Sequence, residues 1–470
     1  MSSSILSTVV KSYDVRGLVE SELIPEVVKA LGAAFAEVVV GHGQTMILGH
    51  DMRASSPDLA HAFCEGARSH GSNVTSIGLC STDMLYYASG IRGVPAVMFT
   101  ASHNPADYNG IKFCREGARG ISLETGLAEI RDKADQYISG KVDYGNAEGK
   151  FIEESVLHDY ASFLRGLVPL DSSRPLRVVV DAANGMAGLT VPAIFQNSVG
   201  LPIKNVEIVP LYFELDGSFP NHEPNPLEPK NLVDLRKAVL ANKADIGLAF
   251  DGDADRCFVV DDNGNPVSPS AIAGMVAKRE IQRARVFENA GDVRVIHNLI
   301  CSRAVAEVIS ESGGFPIRTP VGHSLIKQTM NESGAVFGGE HSAHYYFKSF
   351  WGADNGMLAA LHVLAELGQS NSLLSDLVPQ FSRYSESGEI NSTVSDQAAS
   401  IQAVQDAFES RGELDFMDGL TVTAEEGGDF WWLNVRGSNT EPLLRLNVEA
   451  SSPDLMERLR EEALSLIRKE

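Results

Sequence analysis

The chain has 470 residues, 44% hydrophobic and 21% charged, a composition that fits a soluble globular protein and excludes a disordered or fibrous one. At about 150 residues per domain, that length implies three or four domains, each able to bury a sizeable core. Its 39 basic and 62 acidic residues leave a net charge of −23, whose field repels nucleic acid and anionic membrane. A small anion is still admissible, because a pocket needs only a few local Arg, Lys and backbone N–H groups to hold one.

The N-terminal stretch "MSSSILSTVVKSYDVRG" lacks a basic segment followed by a long apolar one, and no uninterrupted apolar stretch reaches the ~18 residues of a membrane span. The five cysteines, Cys64, Cys80, Cys114, Cys257 and Cys301, are odd in number and form no C-x-x-C pair, which argues for a reducing compartment. A cytoplasmic enzyme is the expectation. Within the same stretch, Tyr13 and Arg16 offer a hydroxyl and a cation to a ligand.

From Thr45, "TMILGHDMRASSPDLAHAFCEGARSHGSNVTSIGL" passes from a short apolar run to helical periodicity and back, which predicts a β-α-β unit. "MFTASHNPADYNGIKF" follows, placing Ser102, His103, Asn104 and Lys112 at or just after the end of a strand, the usual place for ligand chemistry in open α/β sheets. Ser, Asn and Pro also make ordinary turns. No G-x-S-x-G elbow surrounds Ser102, so a hydrolytic serine fits poorly, whereas phosphoryl acceptance needs an exposed hydroxyl, nearby cations and a metal.

A second β-α-β unit begins at Leu176 with "LRVVVDAANGMAGLTVPAIF", and the rigid polar loop "DGSFPNHEPNP" follows it. Next, "ADIGLAFDGDADR" sets Asp251, Asp253 and Asp255 at alternate positions after a strand, so that the three carboxylates can converge on one hard cation. A calcium loop of the EF-hand type would need glycine and glutamate where Arg256 and Asp262 stand, so magnesium is the better candidate.

A third unit starts at Val293, and "PVGHSLIKQTM" after it places His323 where a helix N-terminus could meet an anion. "FGGEHSAHYYF" offers Glu340, Ser342 and His344 behind two glycines; with His341 and no third ligand the H-x-x-H pair is a weak metal motif, and sugar hydroxyls suit the carboxylate and hydroxyl better. The remainder reads as hairpin strands and a final helix capped at Ser452 with Pro453 at its first position. Its loop "VRGSNTEP" collects Arg436, Ser438, Asn439 and Thr440, a composition suited to a phosphate nest. The predicted fold class is therefore three similar α/β domains with mixed, largely parallel sheets and a C-terminal α+β domain, divided as 1–148, 149–253, 254–370 and 371–470.

Taken together and in this order, these motifs resemble the α-D-phosphohexomutases, in their phosphomannomutase/phosphoglucomutase branch; "TASHNP" with "DGDADR" carries most of the resemblance. The resemblance implies a four-domain, heart-shaped monomer or homodimer with one motif from each domain in a central cleft. It implies that Ser102 carries a phosphoryl group beside His103, Asn104 and Lys112, with Mg²⁺ on Ser102, Asp251, Asp253 and Asp255. Hexose phosphates, mannose ahead of glucose, would pass through a hexose 1,6-bisphosphate that turns round between two transfers. Glu340 and Ser342 would read sugar hydroxyls, with Tyr13, Arg16 and His323 also meeting substrate. The segment of Arg436, Ser438, Asn439 and Thr440 would hold the phosphate that is not moving. Arg256, His323 and His344 match positions near the reacting oxygens, and sequence leaves the general base open. One departure is Ile300, where many relatives carry a lysine. The alternatives are a phosphoglucosamine mutase, which usually has glutamine in place of His341, and a non-catalytic sugar-phosphate binder.

Overall fold

The computed structural model describes residues 2–170, 174–201, 203–288, 291–437 and 443–468. Four sheets follow one another along the chain, and the first three share a plan. In each, a parallel pair flanks a helix: Thr45–His50 with Asn73–Leu79, Leu176–Asp181 with Val206–Leu211, and Arg294–Asn298 with Phe315–Thr319. These are the three β-α-β units expected from sequence. Central strands such as Ala96–Phe99 and Ile246–Phe250 are buried at every position, which is why they read as unbroken apolar runs rather than alternating ones.

Each of these sheets also carries an antiparallel hairpin, and it is these hairpins that aim the polar loops. In the seven-stranded first sheet, Ala96–Phe99 turns back into Tyr108–Arg115. In the second, Ile246–Phe250 turns back into Cys257–Val260; in the third, Phe337–Gly339 turns back into Tyr345–Phe347. Residues 100–107, 251–256 and 340–344 are the three connections.

The division expected after residue 253 therefore falls inside a hairpin. The second sheet continues through Pro266–Val267, because the acidic turn that looked like a linker is held between two paired strands. Likewise Phe151–Glu153 still pairs with Asn73–Leu79, beyond the expected end at 148. At the other end, Leu374, Leu377 and Phe381 pack in the core shared by the second and third units, so the six-stranded fourth sheet begins only at Ser385–Glu386.

The first three units are joined by one continuous apolar cluster, while the fourth has its own core around Phe408, Trp431 and Leu459. The last helix, Pro453–Ile467, starts as the sequence predicts, with the Ser452 side chain accepting from Leu455 N and proline in the first turn. Among the described residues no helix is long and apolar enough to cross a membrane.

Two helices of the first unit, Pro25–Phe35 and Ser56–Ser69, touch backbone to backbone through Gly32 and Gly66. A Cβ on Gly66 would lie 2.0 Å from Lys29 O, and one on Gly32 would lie 2.2 Å from Phe63 O. Helix propensity alone favours Gly66→Ala, yet overpacking of this kind costs about 1–3 kcal/mol. The alanine variant should therefore unfold at lower urea concentration than the parent. An unchanged or raised midpoint would show that the helices can part without loss.

Candidate active site

The serine loop is built around a residue that the sequence reading passed over. Arg53, 1% exposed, donates to four backbone carbonyls of the loop and the strand after it: Ser102 O at 3.0 Å, Asn104 O at 2.7 Å, Pro105 O at 2.7 Å and Tyr108 O at 2.9 Å. Asp51 lies 3.3 Å from its Nε, and the ring of Phe219, from the "DGSFP" loop, stacks over the guanidinium with 5.1 Å to its centroid. One planar fork thus ties off carbonyls that a tight loop would otherwise leave unpaired.

Held in this way, Ser102 adopts φ +51°, a left-handed conformation that is strained for a side-chain-bearing residue. Ala254 in the acidic turn and Ala343 in the third connection share it, at φ +63° and φ +66°. The loops meet closely: a Cβ on Gly252 would lie 2.4 Å from Ser102 O, so glycine is needed for the acidic turn to reach the serine.

Ser102 Oγ donates to Asp251 Oδ2 at 2.9 Å. Arg256 also grips Asp251, through Nε at 2.8 Å and Nη2 at 2.7 Å, and its Nη2 lies 3.4 Å from Ser102 Oγ. Lys112 Nζ bridges Asp253 Oδ2 at 2.6 Å and Asp255 Oδ2 at 2.7 Å, and Thr82 donates to Asp253 Oδ2 at 2.6 Å. Burial pushes all three carboxyls up. At Asp253 burial is the largest single influence, but the charge of Lys112 and the hydrogen bonds from Lys112, Thr82 and Ser102 together outweigh it and hold the group below the usual range, whereas at Asp255 the charge of Asp253 adds to burial and raises it well above. Asp253 Oδ1 and Asp255 Oδ1 are buried without a hydrogen-bond partner, and the three aspartates bring ligand oxygens within 4.8 Å of one another. Carboxylates with unused buried oxygens beside a hydroxyl are a donor set that fits a hard divalent cation.

His103 is neutral. Burial, Arg256 and Arg16 all push its pKa far below the ordinary value, and its Nδ1 lies 2.7 Å from Arg256 Nη2, a donor only, so the ring proton resides on Nε2. Asn104 Oδ1 accepts from Arg16 Nη1 at 2.6 Å, and Asp14 accepts from Arg16 Nε at 2.7 Å. In the third connection, Glu340 is 3% exposed and accepts from Tyr346 Oη at 2.7 Å; Ser342 Oγ lies 3.0 Å from His344 Nδ1, and His344 Nε2 stands 3.9 Å from Asp255 Oδ1.

A cleft of ≈ 550 Å³ runs between the first and third units and is lined by Tyr13, Arg16, Ser102, His103, Lys112, Asp255, Arg256 and His344. Lys327 and Asp354, which the sequence reading did not single out, lie on the same wall with Nζ 2.6 Å from Oδ1. Arg436 is 4% exposed on the strand Asp429–Gly437 of the fourth unit and does not line this cleft. Ser438, Asn439 and Thr440 lie outside the described residues, as does the side chain of His323, whose backbone opens the helix His323–Ser333. Ile300 is 6% exposed in an apolar cluster with Leu299, Phe430 and Trp432, a seat between the third and fourth units.

Four consecutive family descriptions match the chain. Phosphoglucomutase/phosphomannomutase alpha/beta/alpha domains I, II and III match residues 7–140, 158–264 and 268–384, and the C-terminal domain matches 389–466. A relative in Xanthomonas campestris pv. campestris, named "Phosphohexose mutases", is 38% identical over 462 residues, which cover 97% of this chain and 98% of the relative. A phosphomannomutase of Salmonella typhimurium is 36% identical over 448 residues, covering 94% and 95%. The crystal structure of a phosphoglucomutase/phosphomannomutase family protein from Burkholderia thailandensis is similar with a TM-score of 0.85 and 29% identity, over 100% of this chain and 98% of that one.

Arg53→Lys keeps the charge but loses the planar fork, so the carbonyls of the serine loop should lose their shared donor. Amide exchange at residues 102–108 should quicken by about tenfold or more, as expected when a hydrogen bond to a charged group worth roughly 1.5–3 kcal/mol is lost. Equal protection in the two proteins would mean that the loop holds its strained serine without Arg53.

Proposed function

The chain belongs to the phosphoglucomutase/phosphomannomutase family and is an isomerase that moves phosphoryl groups on hexose phosphates, and from that premise we propose a phosphomannomutase that works through Ser102. The observation that carries the reading is the meeting of Ser102 Oγ with Asp251 and Arg256 at the wall of the cleft.

In this reading Ser102 carries a phosphoryl group in the resting enzyme. The free hydroxyl of a bound mannose phosphate attacks the phosphorus in line, the bond to Ser102 Oγ breaks, and a hexose 1,6-bisphosphate forms. The intermediate turns round and returns its other phosphate to Ser102. Arg256 and Lys112 face the developing negative charge, and His103 offers its Nε2–H from a ring fixed by Arg256. His344, steadied through Nδ1 by Ser342, takes the proton of the attacking hydroxyl. Mg²⁺, held by Asp251, Asp253, Asp255 and Ser102, would supply charge neutralisation during transfer. Arg436 and the loop after it hold the phosphate that is not being transferred.

For the sugar, Glu340 and Ser342 serve hydroxyls that mannose and glucose phosphates share, so glucose phosphates should turn over as well. The described motifs hold no carboxylate assigned to a 2-amino group, which argues against a phosphoglucosamine mutase; His341 bonds Ser270 Oγ at 2.9 Å.

Ser102→Ala should abolish turnover while the variant still folds, and intact mass should show the loss of one phosphoryl group from the purified protein. A phosphoryl group mapped to another residue of fully active enzyme would overturn the assignment. Asp253→Asn should lower kcat by about 100-fold or more, since it removes both a cation ligand and charge balance. In coupled assays at matched concentrations, mannose and glucose 1-phosphates should both outrun glucosamine 1-phosphate; the reverse order would move the chain to the alternative.

A further inference from the structure

In the fourth unit, Arg436 and Arg445 sit directly opposite each other on the antiparallel strands Asp429–Gly437 and Leu443–Ala450. Like charges so placed repel unless an anion lies between them. Glu389 supplies that anion. Its Oε2 accepts from Arg436 Nη2, and its Oε1 lies 3.5 Å from Arg445 Nη1. The other terminal nitrogen of Arg436 is fixed to the sheet by Asn434 Oδ1 at 3.2 Å and Asn447 Oδ1 at 3.0 Å. Glu389 therefore occupies the one terminal nitrogen that the sheet amides leave over.

The two partners differ in exposure and in support. The Arg436 side chain is 5% exposed and that of Glu389 is 29% exposed. Glu389 follows Gly388, at φ +67°, in the turn between Ser385–Glu386 and Ile390–Thr393, so the carboxylate rides on a connection while the guanidinium is pinned in the sheet. Burial pulls the pKa of Arg436 down, and Glu389 is foremost among the groups that oppose it.

We propose that Glu389 is a resident counter-anion for Arg436, which pairs with the guanidinium whenever the sugar's phosphate is absent and gives way when that phosphate arrives. The inference rests on the assignment of Arg436 to the phosphate that is not being transferred. Its physical basis is the cost of a buried, unpaired cation. In a cycle whose intermediate lets go of the arginine and returns by its other phosphate, Arg436 is left without a ligand phosphate in mid-cycle. The carboxylate fills the gap, at the expense of competing with each incoming phosphate. Arg445 acts on the same carboxylate from the other side and draws it away from Arg436.

The test uses the full chain, with inorganic phosphate as the probe in calorimetry and with KM for mannose 1-phosphate. Glu389→Gln keeps the shape and removes the charge, so both constants should fall, by about tenfold for one charge-assisted hydrogen bond no longer displaced. Arg445→Gln should raise both in the parent and change neither in the Glu389→Gln background, because Arg445 acts through Glu389. If the glutamine variant does not fold, Glu389→Asp, which withdraws the carboxylate by one methylene, should move both constants the same way by less. Constants that stay level or rise in a folded Glu389 variant would overturn the proposal. Arg436→Ala reads the underlying assignment alone: phosphate binding unchanged there removes Arg436 from the phosphate site, whereas weakened binding there with an unresponsive Glu389 variant removes only the counter-anion.

Discussion

Three aspartates within five residues, each at most 1% exposed, are the constraint from which the rest of the site follows. Placing a carboxylate in a protein interior costs several kcal/mol unless cations and hydrogen bonds answer it. Here Lys112 and Arg256 do so, with Thr82 and Ser102 adding hydroxyl donors. Lys112, Thr82 and Ser102 come from the first unit and Arg256 from the turn itself. The second unit therefore cannot hold its own acidic turn without the first docked against it. Two cations stand against three carboxyl groups, and two of their oxygens are buried without a hydrogen-bond partner, a donor set that a divalent cation would complete.

The same turn is tied to the third unit by a second polar network. Thr82, which donates to Asp253, precedes Asp83, whose carboxyl accepts from Tyr160 Oη at 2.5 Å, and Asn355 Nδ2 approaches that phenol oxygen at 3.4 Å. Asp83, Tyr160 and Asn355 are all fully buried, and burial raises the Asp83 pKa to about 7. Asn355 in turn caps the helix Gly356–Gln369, and its neighbour Asp354 holds Lys327 on the cleft wall. Satisfied networks of this kind fix one arrangement of the units, because any shift strands a buried polar atom.

What the sequence made legible is what depends on local pattern. The β-α-β units showed themselves through buried apolar runs, and the acidic turn through strict alternation of carboxylates. The boundary at 253 was misplaced because a polar turn closing a hairpin has the composition of a linker. Arg53 was missed because it acts on backbone carbonyls, which leave no trace in side-chain spacing; only its place in "GHDMR" at a strand end hinted at a role. Lys327 and Asp354 were missed because the tertiary fold alone brings them together. Ile300, a departure from the resemblance, has its account in packing, since a charge among Leu299, Phe430 and Trp432 would be desolvated where the third and fourth units touch.

A chain with a net charge of −23 must gather cations locally to receive a phosphate, and the way it holds them has a consequence for affinity. Every cation singled out above already has an acidic partner: Arg16 with Asp14, Arg53 with Asp51, Lys112 with Asp253 and Asp255, Arg256 with Asp251, Lys327 with Asp354, and Arg436 and Arg445 with Glu389. Pre-pairing spares the empty site the penalty of unpaired buried charge and fixes each cation in position before a ligand enters. It also means that an incoming phosphate exchanges carboxylate contacts for its own, so the net gain is smaller than a count of new hydrogen bonds suggests. Moderate affinity would also suit the proposed cycle, in which the ligand binds, leaves the cations and binds again the other way round, because a site that held one orientation tightly would trap it.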